Sequence, residues 1–257
     1  MLGKYIKHEI KDTSKIMLMM YSIIIVLTLL GKLYITEIVE KSGGNGIISG
    51  LLIMVYVLGI FAATIVGSIY LIINFYNTMF GDTGYLTHTL PIKRSTIINV
   101  KVLVIFMWTI ILSVLAAESV LIISSGSMGV SEIHSEIFDA FNQLTNKSII
   151  GHIIFMALLS IISTILEIAF CFSIGQTSNK HKIGYAILAY VILYFIKQIL
   201  GVVFMISSGY MFESGAFYSA DDVVNMFKSS TYIILIASSV IYYFSTLYLC
   251  KKKLNLK

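Results

Sequence analysis

An all-α integral membrane fold with six membrane-crossing helices is what this sequence predicts, on three observations. Apolar residues make up 58% of the 257 residues and charged residues only 12%, about half the charged share of a soluble domain; mean hydropathy is +0.91. The apolar residues gather into six runs, each long enough to supply the about 20 residues a helix needs to cross ~30 Å of hydrocarbon. Lys and Arg collect at every second junction between those runs. No segment is long and polar enough for a separate soluble domain, so residues 1–257 read as one transmembrane domain. The net charge of +5 follows membrane topology in its placement, and no nucleic-acid partner is expected.

The first element is the tail. Lys4, Lys7, Lys11 and Lys15 recur at helical spacing, with Leu2, Ile6 and Ile10 elsewhere on the wheel. Residues 1–15 therefore read as an N-terminal amphipathic helix lying at the interface, lysines toward anionic lipid headgroups. The plainer reading is a charged tail that sets topology. The tail has no apolar stretch followed by a small-residue cleavage site, so the first span is expected to act as a retained insertion signal.

The spans fall at roughly 16–36, 47–75, 98–124, 149–174, 183–208 and 230–250. Span two carries Gly59, Ala63 and Gly67, a small residue at every fourth position, which lets another helix approach closely within one subunit or between two. On one side of these spans lie the tail lysines, Lys93, Arg94, Lys101, Lys180, Lys182, Lys251, Lys252, Lys253 and Lys257. The other side holds Glu37, Glu40, Glu132, Glu136, Asp139, Glu213, Asp221 and Asp222. By the positive-inside rule both termini are expected in the cytoplasm of a cell bounded by a plasma membrane. Cys171 and Cys250 fall near the cytoplasmic ends of their spans, where a structural disulfide is not expected.

Two outer loops read as short helices, one before span four and one before span six. In the first, Ile133, Ile137, Phe141 and Leu144 form one apolar stripe, with Ser131 as N-cap. Its Glu132, His134, Glu136 and Asp139 read as a solvated face, since His134 and Glu136 point to different sides of a helix; no metal site is expected. In the second, Ser219 and Asp222 resemble a capping box ahead of Val223, Val224 and Phe227.

Ionisable groups inside the spans are costly unless they face protein or water. Glu167 shares a helical stripe with Ser160, Ser163, Thr164 and Cys171, and Lys197 one with Tyr190, Tyr194, Gln198 and Gly201. Two readings stand side by side: a structural Glu167–Lys197 pair or snorkelling groups, and a polar substrate path lined by Glu167, Lys197, Ser160, Thr164, Tyr190 and Tyr194. Lys32 and Glu118 lie near outer span ends, where snorkelling accounts for them.

The most distinctive stretch is NTMFGDTGYLTHTLPIKRSTIINVKVL, residues 77–103, the longest inner loop and the site of the chain's only proline. Gly81 and Gly84 permit a tight turn, and Pro91 suits the first turn of a restarting helix. With Gly84, Tyr85, Leu86, Leu90, Pro91, Lys93 and Arg94 it resembles the G-Y-L-x-x-x-L-P-x-K/R segment of the permease subunits of bacterial type-2 ATP-binding-cassette exporters. The six spans, the interfacial helix and the outer helix before span six extend the resemblance over nearly the whole chain.

The resemblance implies a coupling segment at about 77–94, docking on an ATPase through Phe80, Gly81, Asp82, Gly84, Tyr85, Leu86, Leu90, Pro91, Lys93 and Arg94. It implies two separate ATPase subunits carrying ATP and Mg, a second permease copy or homologue, and export of an amphipathic substrate by alternating access. Among substrates it favours a peptide such as a bacteriocin or toxin, exported or cleared in self-immunity, over a drug or a lipid-linked molecule. The chain has no G-x-x-x-x-G-K-[ST] phosphate loop, and Gly43-Gly-Asn-Gly46 lacks the lysine. It is therefore expected to be no enzyme by itself and to hold no cofactor.

Two other classes compete. A secondary transporter or membrane sensor with no ATPase would be favoured by broken helices at the midplane, yet no span contains proline. An intramembrane hydrolase would need paired acids or histidines at shared depth. His8, His88, His134, His152 and His181 all fall in loops or near span ends.

Overall fold

A computed structural model describes residues 2–41, 47–81, 84, 92–124, 132, 135, 139, 147–178, 180–213 and 220–252. Each apolar run is a helix: α1 (Leu2–Lys41), α2 (Ile47–Met79), α3 (Arg94–Ser124), α4 (Lys147–Gly175), α5 (Lys182–Glu213) and α6 (Ala220–Lys252). All six are long and apolar enough to cross a membrane, and the chain is a multi-pass α-helical membrane protein. Their outward-facing leucines, isoleucines, valines and phenylalanines are largely exposed, as expected of side chains that lipid covers.

Helix ends depart from the expected span ends for physical reasons. Residues 1–15 do not break before span one: from Leu2 the chain runs on as one 40-residue helix. Lys4, Lys7, Lys11 and Lys15 line its exposed face while Thr13, Met17, Tyr21 and Ile24 are buried on the other. The polar start ahead of span six is likewise continuous with α6 from Ala220. Of the expected outer helix before span four, Glu132, Ser135 and Asp139 are helical; Ser131, Ile133, His134, Glu136, Ile137, Phe141 and Leu144 lie outside the described residues, as does Ser219.

The chain divides into two compact units, Met1–Phe75 with Asn99–Ile154, and Tyr76–Ile98 with Phe155–Lys257. The first has a core built by three helices: Met17, Tyr21 and Ile24 from α1, Tyr56, Ile60 and Leu71 from α2, and Val100, Val104, Trp108, Leu112 and Ile123 from α3. Three of its buried aromatic residues have their polar tips matched, as burial in an apolar medium favours. Tyr21 donates to the Trp108 carbonyl at 2.9 Å, Trp108 Nε1 donates to Thr13 at 2.8 Å, and Tyr56 donates to the Ser119 carbonyl at 3.0 Å. Such interhelical bonds contribute about 0.6 kcal/mol each in membranes. The small-residue stripe of α2 serves this unit: a Cβ on Gly67 would lie 3.1 Å from Leu112, Gly59 faces Leu27, and Ala63 packs on the core.

In the second unit, α4 turns back into α5 between Gly175 and Lys182. A Cβ on Gly175 would run into the Lys182 carbonyl oxygen and lie 3.0 Å from the Ala186 methyl, so only glycine lets the two helices close this tightly. The turn is sealed by Gln176 N–H to the Phe172 carbonyl at 3.1 Å and Ser178 N–H to the Gly175 carbonyl at 3.2 Å. α6 joins α4 through Phe170 stacked on Tyr242 (centroids 5.6 Å apart), Phe155 against Tyr232, and a Ser163–Ser238 hydroxyl contact at 3.3 Å.

Candidate functional site

Two places in the second unit bring expected site residues together. The first is the base of the loop between α2 and α3. α2 ends where the Phe80 and Gly81 amides both reach back to the Tyr76 carbonyl, at 2.8 and 3.0 Å, and Gly84 N–H closes a turn on the Gly81 carbonyl at 2.9 Å. α3 restarts at Arg94, its first turn bonded to the Lys93 carbonyl by Thr96 and Ile97.

Both roots are seated on other helices of the unit. The Tyr76 ring packs against Phe172 of α4, centroids 5.1 Å apart. Arg94 donates through Nη1 to the Cys250 carbonyl, one of the last in α6, where a cation meets both an unpaired acceptor and the negative end of the helix dipole. Phe80 and Gly84 are buried, Gly81 and Arg94 half-buried, and Lys93 exposed. Asp82, Tyr85, Leu86, Leu90 and Pro91 lie outside the described residues.

The second place is the ion pair of Glu167 on α4 and Lys197 on α5. Counted from the turn, Glu167 is eight residues along α4 and Lys197 fifteen along α5, which sets their backbones ~10 Å apart in level. Side chains lean toward the N-terminus of their own helix. In antiparallel neighbours, the one nearer the turn leans away from it and the farther one leans back, so the two converge. The pair is asymmetric: the Glu167 side chain is 5% exposed and that of Lys197 45%. The ammonium also sits 5.8 Å from the centroid of the buried Tyr242 ring, a cation–π contact that helps hold it.

The remaining expected path residues do not join the pair. Ser160 and Thr164 donate to carbonyls of their own helix, Ala157 at 2.8 Å and Ser160 at 2.9 Å. Tyr190 and Tyr194 are exposed on α5, and the Tyr194 hydroxyl accepts from Gln198 Nε2 at 3.0 Å. Lys4, Lys7 and Lys11, with His8, line a shallow concavity on the exposed face of α1. Cys171 and Cys250 are buried free thiols. Among the described residues no group of His, Cys, Asp and Glu could hold a metal ion. Gln176, at the α4–α5 turn, is buried with neither amide atom hydrogen-bonded.

Three features escaped the sequence reading. Lys101, counted only among the basic residues on the cytoplasmic side, is buried on α3 and pairs with Glu9 of α1 at 2.8 Å. The signal was present: Ile97, Lys101, Val104 and Trp108 share one helical face, and the other three are apolar and buried. The Arg94 cap and the Tyr242 contact had no sequence signal, because neither partner stands at helical spacing from the other. No protein-family model matches this chain, and no curated protein or solved structure matches it.

Proposed function

We propose that this chain is the transmembrane permease subunit of an ATP-driven exporter of the type-2 ATP-binding-cassette kind, sited in a bacterial plasma membrane with both termini in the cytoplasm. Residues 77–94 form its coupling segment toward a pair of separate ATPase subunits, which bind ATP and Mg. A second permease copy or homologue completes the translocation path, and Glu167, Lys197, Ser160, Thr164, Tyr190 and Tyr194 line it. The start of α1 stands at the inner surface of the membrane, with Lys4, Lys7, Lys11 and Lys15 on its exposed face toward anionic headgroups. The cargo is amphipathic, a peptide such as a bacteriocin or toxin before a drug or a lipid-linked molecule.

The observation that carries this reading is the segment around Gly84–Arg94. Its motif resembles the coupling segment of such permeases, and its two roots are clamped to α4 and α6 by Tyr76 and Arg94. A loop fixed to other helices at both ends can pass a push to them; a loose loop would absorb it. The test is purification of the tagged full chain from its native membrane under mild detergent. A co-purifying subunit with a phosphate-loop sequence and vanadate-sensitive ATP hydrolysis is expected. Transport by the purified chain with no such subunit would refute the proposal. That outcome would favour an ion-coupled transporter, for which the Glu167–Lys197 pair supplies the motivating observation.

A further inference from the structure

α5 poses a solvation problem. It is the least covered of the six helices: 6% of its most apolar window is buried, against 17–28% in the others. Yet in the middle of its candidate span, Lys182–Ile206, it exposes Lys197, Gln198, Tyr190 and Tyr194. Hydrocarbon offers none of these groups a hydrogen bond, so this face meets water or another polar surface. Lys197 is moreover held in place, by Glu167 on one side and the Tyr242 ring on the other. An ammonium has three donors. One goes to Glu167, and the half-exposed side keeps the rest.

We infer that the open end of the Glu167–Lys197 pair is a recognition point for an anionic oxygen group, a carboxylate or phosphate, on an amphipathic ligand. The pair is a fixed dipole with its carboxylate enclosed and its ammonium open. A group arriving from the open side meets the ammonium first and the carboxylate several ångströms further on. Since charge–charge energy falls with distance, an anion there is drawn more strongly by Lys197 than it is repelled by Glu167, and a cation is turned away. Tyr194 and Gln198 lie on the same exposed face as further hydrogen-bonding groups. Exposed Phe195 and Ile199 beside them offer apolar surface for the rest of the ligand. The inference rests on the path residues of the proposed function and adds the charge of what they bind. The anionic group can come from cargo or from a membrane lipid.

The test is photolabelling of the full chain in phosphatidylcholine nanodiscs with a diazirine-bearing medium-chain fatty acid, against its methyl ester. Labelled peptides are mapped by mass spectrometry. Labelling of α5 peptides around Tyr194 is expected to be at least tenfold stronger for the acid than for the ester. Lys197→Arg keeps that preference. Glu167→Gln/Lys197→Gln, which removes both charges without stranding either, loses it. Phosphatidylglycerol in the nanodisc distinguishes the sources: if it suppresses labelling, lipid supplies the group, and if it does not, cargo does. Equal labelling by acid and ester, no labelling of α5 by either, or a preference that survives the double substitution overturns the inference. None of these readouts needs an ATPase, so this inference and the exporter reading can fail independently.

Discussion

Lys101 shows what a single buried charge demands of its surroundings. Its side chain is 2% exposed and its ammonium lies 2.8 Å from Glu9, itself 14% exposed. A lone buried charge is expensive, and a pair is tolerable only while both partners remain. Lys101→Met should therefore destabilise the first unit by about 3 kcal/mol, the low end for breaking a buried pair, since Glu9 keeps some access to water. Glu9→Gln/Lys101→Met, which removes both charges of the pair and leaves only the exposed Asp12 nearby, should come within about 1 kcal/mol of the parent. Denaturant unfolding of the four proteins in one detergent, closed as a double-mutant cycle, checks this. Purely additive losses would show that the two groups do not depend on each other.

Gly175 and Gly184 separate close packing from mere helix propensity at the scale of an element. A methyl group at 175 would collide with the backbone of α5, whereas one at 184 meets nothing nearer than the His181 Cβ at 3.8 Å. Gly184→Ala should be neutral or stabilise α5 by up to about 1 kcal/mol, the helix-propensity gain of alanine. Gly175→Ala should cost about 1–3 kcal/mol, as overpacking does, despite the same gain. Thermal unfolding of both variants is the measurement, and equal midpoints would mean the hairpin is looser than its geometry. The contrast also marks how far the sequence could be read. The six helices were legible because apolar runs of bilayer length admit one regular structure. Their full length was not, since hydropathy is silent about how far a helix continues past its apolar run, as α1 does through its lysine-bearing start. The Glu167–Lys197 pair was half legible: the two stripes were visible, but whether a ~10 Å difference in level closes depends on side-chain lean across an antiparallel turn. The partners of Lys101 and Arg94 were illegible, because each is chosen by packing between helices distant in sequence.

For the molecule as a whole, the division into compact units bears on how the proposed coupling would work. Tyr76–Ile98 belongs with Phe155–Lys257, although α2 and α3, which it joins, lie mostly in the first unit. Under the proposed function, a push received by residues 77–94 is therefore delivered to the unit built from α4, α5 and α6, through Tyr76 on Phe172 and Arg94 on Cys250. Docking and transmission are then separable. Tyr85→Glu/Leu86→Glu places charge in the segment expected to enter the ATPase, and should reduce co-purified ATPase at least tenfold while the chain inserts normally. Arg94→Gln, at the root of the same segment, keeps Tyr85 and Leu86 but removes the cation that caps α6, a contact of about 0.3–1 kcal/mol in stability. It should recover ATPase in normal amount while losing most cargo-stimulated hydrolysis. The two measurements, ATPase recovered per permease and hydrolysis per ATPase, must move apart in the two variants. Normal recruitment and stimulation in Tyr85→Glu/Leu86→Glu would remove the docking assignment, and loss of recruitment in Arg94→Gln would show that the residue belongs to the docking surface itself.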